Sequence, residues 1–300
     1  MYVCVKNSDK EFITQKYLLP RQKYLESLRL LSLNQAALRA SSVQDRLIYE
    51  KIAKEFENRS LCNHADDIIR CREVPSGNSS SEYYINASII DGKLQKVSQD
   101  LYESYSEHIY RRNAFRIKSC YIFTTVLFQQ WSLCGFEGVK KYAKKVDLFE
   151  HERIFIPLNI NNLHWILAVV DMNVMEVTFI DSLVTCTNKE QLILFYQFII
   201  DYLECEARTP FLYLKSPATK QVRNFDRAMW KCTDSDKFGP VPQQVNAIDC
   251  GVFVITAVDY LMYDLPLLYS YEDMNFFRNK ILESFLIKIE EIIEIDLDDD

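Results

Sequence analysis

No apolar run in this 300-residue chain reaches the roughly 18 residues of a membrane-spanning helix without meeting a charge. Its start, "MYVCVKNSDKEF", turns polar too soon for a secretory signal, so neither a membrane nor an export route is expected. Paired cysteine spacing is missing as well. Nine cysteines, an odd number, are scattered along the chain, which argues for a reducing compartment rather than a disulfide framework. Cys62, His64 and Cys71 lack the fourth ligand and the regular spacing of a zinc site, so no metal is expected there. Nor is there any basic excess: the net charge is −7. Most of it comes from Glu290, Glu291, Glu294, Asp296, Asp298, Asp299 and Asp300 against Lys288, read as a frayed, solvated helix end. The remainder is near neutral, and nucleic acid is not an expected partner. No internal repeat or low-complexity segment is visible.

What is present is an ordinary globular composition, 48% hydrophobic and 26% charged, able to bury a sizeable core. "YLESLRLLSLNQAALRA" and "DRLIYEKIAKEFENR" carry apolar residues at helical spacing. "VPSGNSSSE" (74–82) is turn-forming and marks a candidate boundary. Further helices are expected over "DLYESYSEHIYRRNAF" and "FEGVKKYAKKVDLF". In the second, Lys140, Lys141, Lys144 and Lys145 take one face and Val139, Tyr142, Ala143 and Val146 the other, so the lysines read as a solvated face. "RIFIPLNI", "WILAVVDM" and "MEVTFID" are short and rich in Val, Ile and Phe, as strands are. In the second strand both alternating sets are apolar, so it should be covered on both faces. "NKEQLILFYQFIIDYLE" opens with Asn188 as N-cap and Gln191 three residues on. "CGVFVITAVDYLMY" and "EDMNFFRNKILESFLIKIEEII" supply two more helices. These elements make an α+β domain, a small, mostly antiparallel sheet with helices packed around it.

Chemistry gathers at a few positions. A two-residue turn at Met172-Asn173, where Asn tolerates positive φ, would close a hairpin that sets His164 directly opposite Asp181. Directly opposed Cβ atoms are roughly 4.5–5.5 Å apart, close enough for the carboxylate to hold the ring tautomer and steady the imidazolium. Cys250 stands where "VPQQVNAID" gives way to an apolar helix. There, free N–H groups and the macrodipole favour a thiolate nucleophile. Gly251 lets another backbone or a substrate come close. The Cys250 N–H and the Gln244 side-chain amide could both serve a developing oxyanion. The plain alternative is a small buried cysteine that starts a core helix.

"KKYAKKVDLFEHERIFIPLNINNLHWILAVVDMNVMEVTFIDSL" followed by "VPQQVNAIDCGVFVITAVDYL" closely resembles the ubiquitin-like protease family, the SUMO-specific (sentrin-specific) cysteine proteases. The family's order is "VDLF…PI…HW", "DS" on the return strand, then "PQQ.N..DCGVF"; "DMNFFRNKIL" resembles its closing helix. The resemblance covers residues 96–290. It leaves 1–95 as a helical segment of uncertain status and 291–300 as an acidic tail. It implies a papain-like cysteine protease fold with Cys250 as nucleophile, His164 as general base and acid, Asp181 as its orienter and Gln244 as oxyanion donor. It further implies that Trp165 packs on a narrow tunnel admitting a Gly-Gly tail, from which any residue with a Cβ is excluded. The implied partner is SUMO or another ubiquitin-like protein and its conjugates, in the nucleus or cytoplasm, with no cofactor. A catalytically inactive module that binds a ubiquitin-like protein is the alternative; a viral-type polyprotein protease of the same fold is a third.

The chain also departs from the family. The family's upstream "WLND" motif has no counterpart with Trp, since no Trp precedes Trp131. One alignment places Lys93 at that position and another, on "YYINASIID", places Tyr84. Ala247-Ile248 stands where the family often has Gly-Ser. The stretch between Asp181 and Gln244 is long enough to hold an insertion. "YYINASIIDGK" is similar to a tyrosine phosphatase signature, but no Cys here has the Arg that a phosphate-cradling loop requires. The fragment is then either coincidence or part of a displaced coding segment.

Overall fold

Strand and helix propensities are met, among the described residues of a computed structural model, by five strands and the α-helices that flank them, with short 3-10 turns between. The structure describes residues 80–106, 119–144, 146–209 and 222–281, with 70, 71, 74, 75 and 77 ahead of them. The helices expected over 24–40 and 45–59, and the acidic tail, lie outside the described residues. The strands are β1 (Cys120–Ile122), β2 (Arg153–Ile160), β3 (His164–Asp171), β4 (Glu176–Ile180) and β5 (Lys231–Thr233), in spatial order β1-β2-β3-β4-β5. The middle three are antiparallel, whereas β1 runs parallel to β2 and β5 parallel to β4. The sheet is therefore mixed, because two three-residue edge strands flank the hairpins read from the sequence. Such short runs carry too little pattern to be seen in advance.

Alternation along the central strands divides the core in two. Phe155, Trp165, Leu167, Val169 and Ile180 face one cluster; Ile154, Ile156, Leu158, Ile166, Ala168 and Val170 face the other. As expected, β3 is buried on both faces. On the first face lie α1 (Ala87–Ser106), α4 (Cys250–Met262) and α5, the helical residues 274–281. Helix α4 is buried nearly all round, from Cys250 to Met262 with Asp259 half-exposed, as its almost continuous apolar sequence requires. On the second face lie α2 (Leu127–Val139) and α3 (Lys189–Arg208), which contributes Phe195, Phe198, Ile199, Tyr202 and Leu203. Asn188 caps α3 through its side-chain oxygen, which accepts from the Gln191 N–H at 2.7 Å.

Several expectations are corrected. The helix expected over 136–149 is absent: α2 ends at Val139, and tight turns follow, with Tyr142 N–H on Val139 O and Val146 N–H on Ala143 O. Val139 and Ala143 are still buried and Lys140, Lys141 and Lys144 exposed, so the amphipathic spacing was real but is satisfied by turns. Helix α1 runs straight through the boundary expected between 95 and 96, and Ile85, Ile89, Ile90 and Leu94 belong to the first core cluster. "YYINASIIDGK" is thus part of the sheet-bearing unit; Asn86 caps α1 by accepting from the Ile89 N–H. Val74, in the linker-like stretch, exchanges two hydrogen bonds with Asn275.

The β3–β4 hairpin closes with residues 172–175, four rather than two, pairing Asp171 with Glu176 and Leu167 with Ile180. Positive φ falls on Met175, not on Asn173. The register moves by two residues. A shift of two preserves which face each side chain takes, whereas a shift of one would have reversed it.

Candidate active site

His164 is the first residue of β3, and Asp181 follows the last residue of β4. The observed register makes them diagonal rather than direct neighbours, a span that long side chains still bridge. The His164 Nε2–H donates to Asp181 Oδ1 at 2.7 Å, with both residues buried. Asp181 Oδ1 also accepts from the Leu183 N–H at 2.8 Å. Burial works against the Asp181 charge, but hydrogen bonds from His164, Thr187 and Leu183 outweigh it and hold the carboxyl below its ordinary range.

With Nε2 engaged, Nδ1 is the ring nitrogen left for Cys250, with which His164 also shares a hydrogen bond. Burial of the ring opposes protonation. The hydrogen bonds to Asp181 and Cys250, and the charge of each, win, so that His164 is pushed up to about 9. The ring thus favours the imidazolium at neutral pH. Cys250 opens α4 and is 1% exposed.

The loop before the thiol is shaped by Asn246, whose Oδ1 accepts from the Ile248 and Asp249 N–H groups, each at 3.1 Å. Asp249 occupies the N-cap position of α4 without capping it. Its carboxylate is turned instead to Arg278 of α5, at 2.6 Å from Nη2 and 2.8 Å from Nε, while Asn246 Nδ2 donates to Oδ2 at 2.7 Å. Arg278 is fully buried and donates further to the carbonyls of Arg70 and Tyr83, both at 2.8 Å. One guanidinium therefore joins the loop before Cys250, α5 and the segment ahead of α1.

That segment crosses the start of α4 closely. A Cβ at Gly251 would lie 2.8 Å from Ile85 Cβ and 3.1 Å from Ile85 O, so glycine is required here by the close approach of Ile85. The adjacent Tyr84 reaches Cys250 and Asn159 with its hydroxyl; burial first, then the charge of Cys250, push its phenol upward. Of the two residues offered for the upstream wall, Tyr84 is the one brought to the thiol, and Lys93 lies well inside α1. Trp165 is buried in the core cluster that contains Cys250 and Ile85.

Gln244 is 5% exposed and held from two sides. Its Oε1 accepts from Ser182 Oγ at 2.8 Å, its own N–H donates to Ser182 O at 2.8 Å, and Nε2 donates to Asn246 O at 2.6 Å. The Asn246 carbonyl, which can only accept, fixes which end of the amide carries the NH2 group and leaves Oε1 to the Ser182 hydroxyl. Sequence reasoning named His164, Asp181, Cys250, Gln244 and Trp165. It missed Ser182, Asn246, Asn159 and Arg278. Ser182 was legible only as the second letter of "DS", and Arg278 as the one arginine inside "MNFFRNKIL".

A model of the Ulp1 protease family, C-terminal catalytic domain, matches residues 85–289. Among curated proteins, Sentrin-specific protease 2 of Homo sapiens is 28% identical over 167 residues, covering 55% of this chain and 25% of that protein. Sentrin-specific protease 5 of Mus musculus is 26% identical over 232 residues, covering 76% and 27%. The matched part spans about a quarter of the length of these relatives. Among solved structures, SUMO protease Ulp1 with its catalytic cysteine oxidised to a sulfonic acid superposes with a TM-score of 0.53 at 21% identity, covering 75% of this chain and 84% of that one. A structure described as the de-sumoylating protease gives 0.53 at 19% identity, covering 78% and 89%. These structural likenesses agree with the mixed sheet and its flanking helices.

Proposed function

The chain belongs to the Ulp1 protease family, and from that premise we propose that it is a thiol peptidase cleaving after the Gly-Gly tail of SUMO or a related ubiquitin-like protein. The observation that carries the reading is the buried His164–Asp181 pair set on Cys250 at the start of α4. In the proposed reaction the Cys250 sulfur attacks the tail carbonyl, and the oxyanion is met by the Cys250 N–H and the Gln244 amide. His164, as imidazolium, hands its proton to the leaving amine. The thioester is then hydrolysed by a water that His164 deprotonates, while Asp181 holds the ring. In this reading Trp165 and Tyr84 flank the tail where it reaches the sulfur. Such a thiol suits a reducing compartment such as nucleus or cytoplasm.

The test is a panel of ubiquitin-like proteins, each ending in a C-terminal electrophile in place of the scissile bond. Reaction with at least one member at Cys250, and loss of both reaction and turnover in Cys250→Ala with affinity kept within a few-fold, are the expected results. Tight binding of a panel member with no adduct would reduce the protein to a binding module. Turnover retained in Cys250→Ala would remove the nucleophile assignment.

A further inference from the structure

Seven buried side-chain polar atoms lack an aligned hydrogen-bond partner among the described residues; two of them, Tyr84 Oη and Asn159 Oδ1, belong to side chains that meet near Cys250, and a third, Trp165 Nε1, belongs to the cross-strand neighbour of Asn159. The convergence follows from the fold. Asn159 on β2 pairs directly with Trp165 on β3, which puts both side chains on the face that packs against α4. Tyr84 is lowered onto the same corner by the close crossing of Ile85 over Gly251, and its main chain is held there by the Arg278 bond to Tyr83 O. The neighbours of Asn159 on that face of β2, Phe155 and Pro157, are apolar and buried. A carboxamide in such company is costly unless something pairs with it, and the same holds for a buried phenol and an indole N–H.

The three atoms have a definite chemistry. Tyr84 Oη and Trp165 Nε1 can donate, and Asn159 Oδ1 can only accept. An extended peptide offers the complement in order, carbonyl oxygens for the donors and an N–H for the acceptor. A tail without side chains leaves its peptide groups fully accessible to such walls.

We propose that Tyr84 and Asn159 are substrate-binding residues: the phenol O–H and the carboxamide oxygen hydrogen-bond the main chain of the tail whose carbonyl Cys250 attacks. The inference rests on the cleavage reading above and adds to it the polar groups that grip the tail. Asn159 accepts from the N–H of the residue bearing the attacked carbonyl, and Tyr84 donates to a carbonyl of the same stretch. A wall made this way selects for an unblocked, extended peptide backbone by hydrogen bonding as well as by width.

The experiment is a cycle between enzyme and substrate. One substrate is a SUMO precursor with its native Gly-Gly tail. The other is identical except that the peptide bond between the two glycines is an ester, which removes that N–H. Wild type is expected to lose about tenfold in kcat/KM on going from amide to ester, the worth of one hydrogen bond to a buried acceptor. Asn159→Ala should be slow on the amide and lose less than threefold on going to the ester. Tyr84→Phe, which removes only the hydroxyl, should lower kcat/KM on the amide with its thermal midpoint kept. Equal amide-to-ester ratios in wild type and Asn159→Ala would overturn the inference, as would full activity in Tyr84→Phe; both mean that Tyr84 and Asn159 serve only each other. A wild type that cleaves neither substrate would instead bring down the cleavage reading.

Discussion

Arg278→Met should destabilise the protein far more than a surface arginine would. The guanidinium is fully buried and satisfies Asp249, Arg70 O and Tyr83 O at 2.8 Å or less, with Ile248 O at 3.4 Å. Methionine fills much of the volume but leaves the Asp249 carboxylate buried with Asn246 alone, and three carbonyls without their donor. Removing one member of a buried ion pair costs about 3–5 kcal/mol. Against a total stability of about 5–15 kcal/mol that is a large share. At roughly 2–4 °C per kcal/mol for a chain of this size, the thermal midpoint should fall by about 6–20 °C. Urea unfolding monitored by tryptophan fluorescence measures the free energy, and differential scanning calorimetry the midpoint. Asp249→Asn in the same background removes the stranded charge, so the double variant should lose less than the two single losses added, by about 2 kcal/mol or more. Because Arg278 also anchors the segment carrying Tyr84, the electrophile probe should label Cys250 more slowly in Arg278→Met well below its midpoint. A loss under about 1 kcal/mol, or strict additivity with Asp249→Asn, would refute the argument that this pair ties the Cys250 loop to the rest of the domain.

Gln244→Ala should lower kcat by roughly 10²–10³ with substrate affinity nearly unchanged, the usual result of losing one oxyanion donor; a loss below threefold would mean that the amide points elsewhere. Gly251→Ala, which in an open helix would stabilise by about 1 kcal/mol, should here destabilise by about 1–3 kcal/mol because its Cβ meets Ile85, and urea midpoints decide the sign. Protonated His164 stabilises the fold, since its pKa rises from 6.5 to about 9. That contribution is complete below about pH 6.5 and is lost as pH climbs through about 9, so wild type should lose stability across this window relative to Asp181→Asn. Parallel pH profiles for the two proteins would show that the carboxylate does not hold the imidazolium.

Some of the site is local and some is not, and this division explains what could be read in advance. A cysteine between a polar loop and an apolar run has to open a helix, so the place of Cys250 follows from a dozen consecutive letters. The His164–Asp181 pair needed only that the two residues share a face and stand at the same end of one hairpin. Parity along a strand survives a turn that is two residues longer than expected, and so the pair formed although the register was misjudged. The lysine-rich stretch shows the opposite case. Its apolar spacing does not distinguish a helix from successive turns, and with α2 already ended at Val139 the turns were enough to bury Val139 and Ala143.

The residues that position the loop before Cys250 obey a different rule. Asp249 beside the thiol has the composition of an N-cap, yet a cation from α5 claims its carboxylate. A lone arginine in an apolar helix and an acid at a buried helix start each announce that a partner exists, because neither charge tolerates burial alone. Neither announces which partner, since the pairing depends on how α5 crosses α4. Tyr84 is of the same kind. Its ring could be aligned with a missing tryptophan, but that its hydroxyl meets Asn159 depends on Ile85 crossing at Gly251, a close contact that leaves no pattern except a glycine. Cys250 and the His164–Asp181 pair therefore belong to the part of the site that nearby letters make legible. How these side chains are held belongs to the packing of α1, α4 and α5 on one face of the sheet.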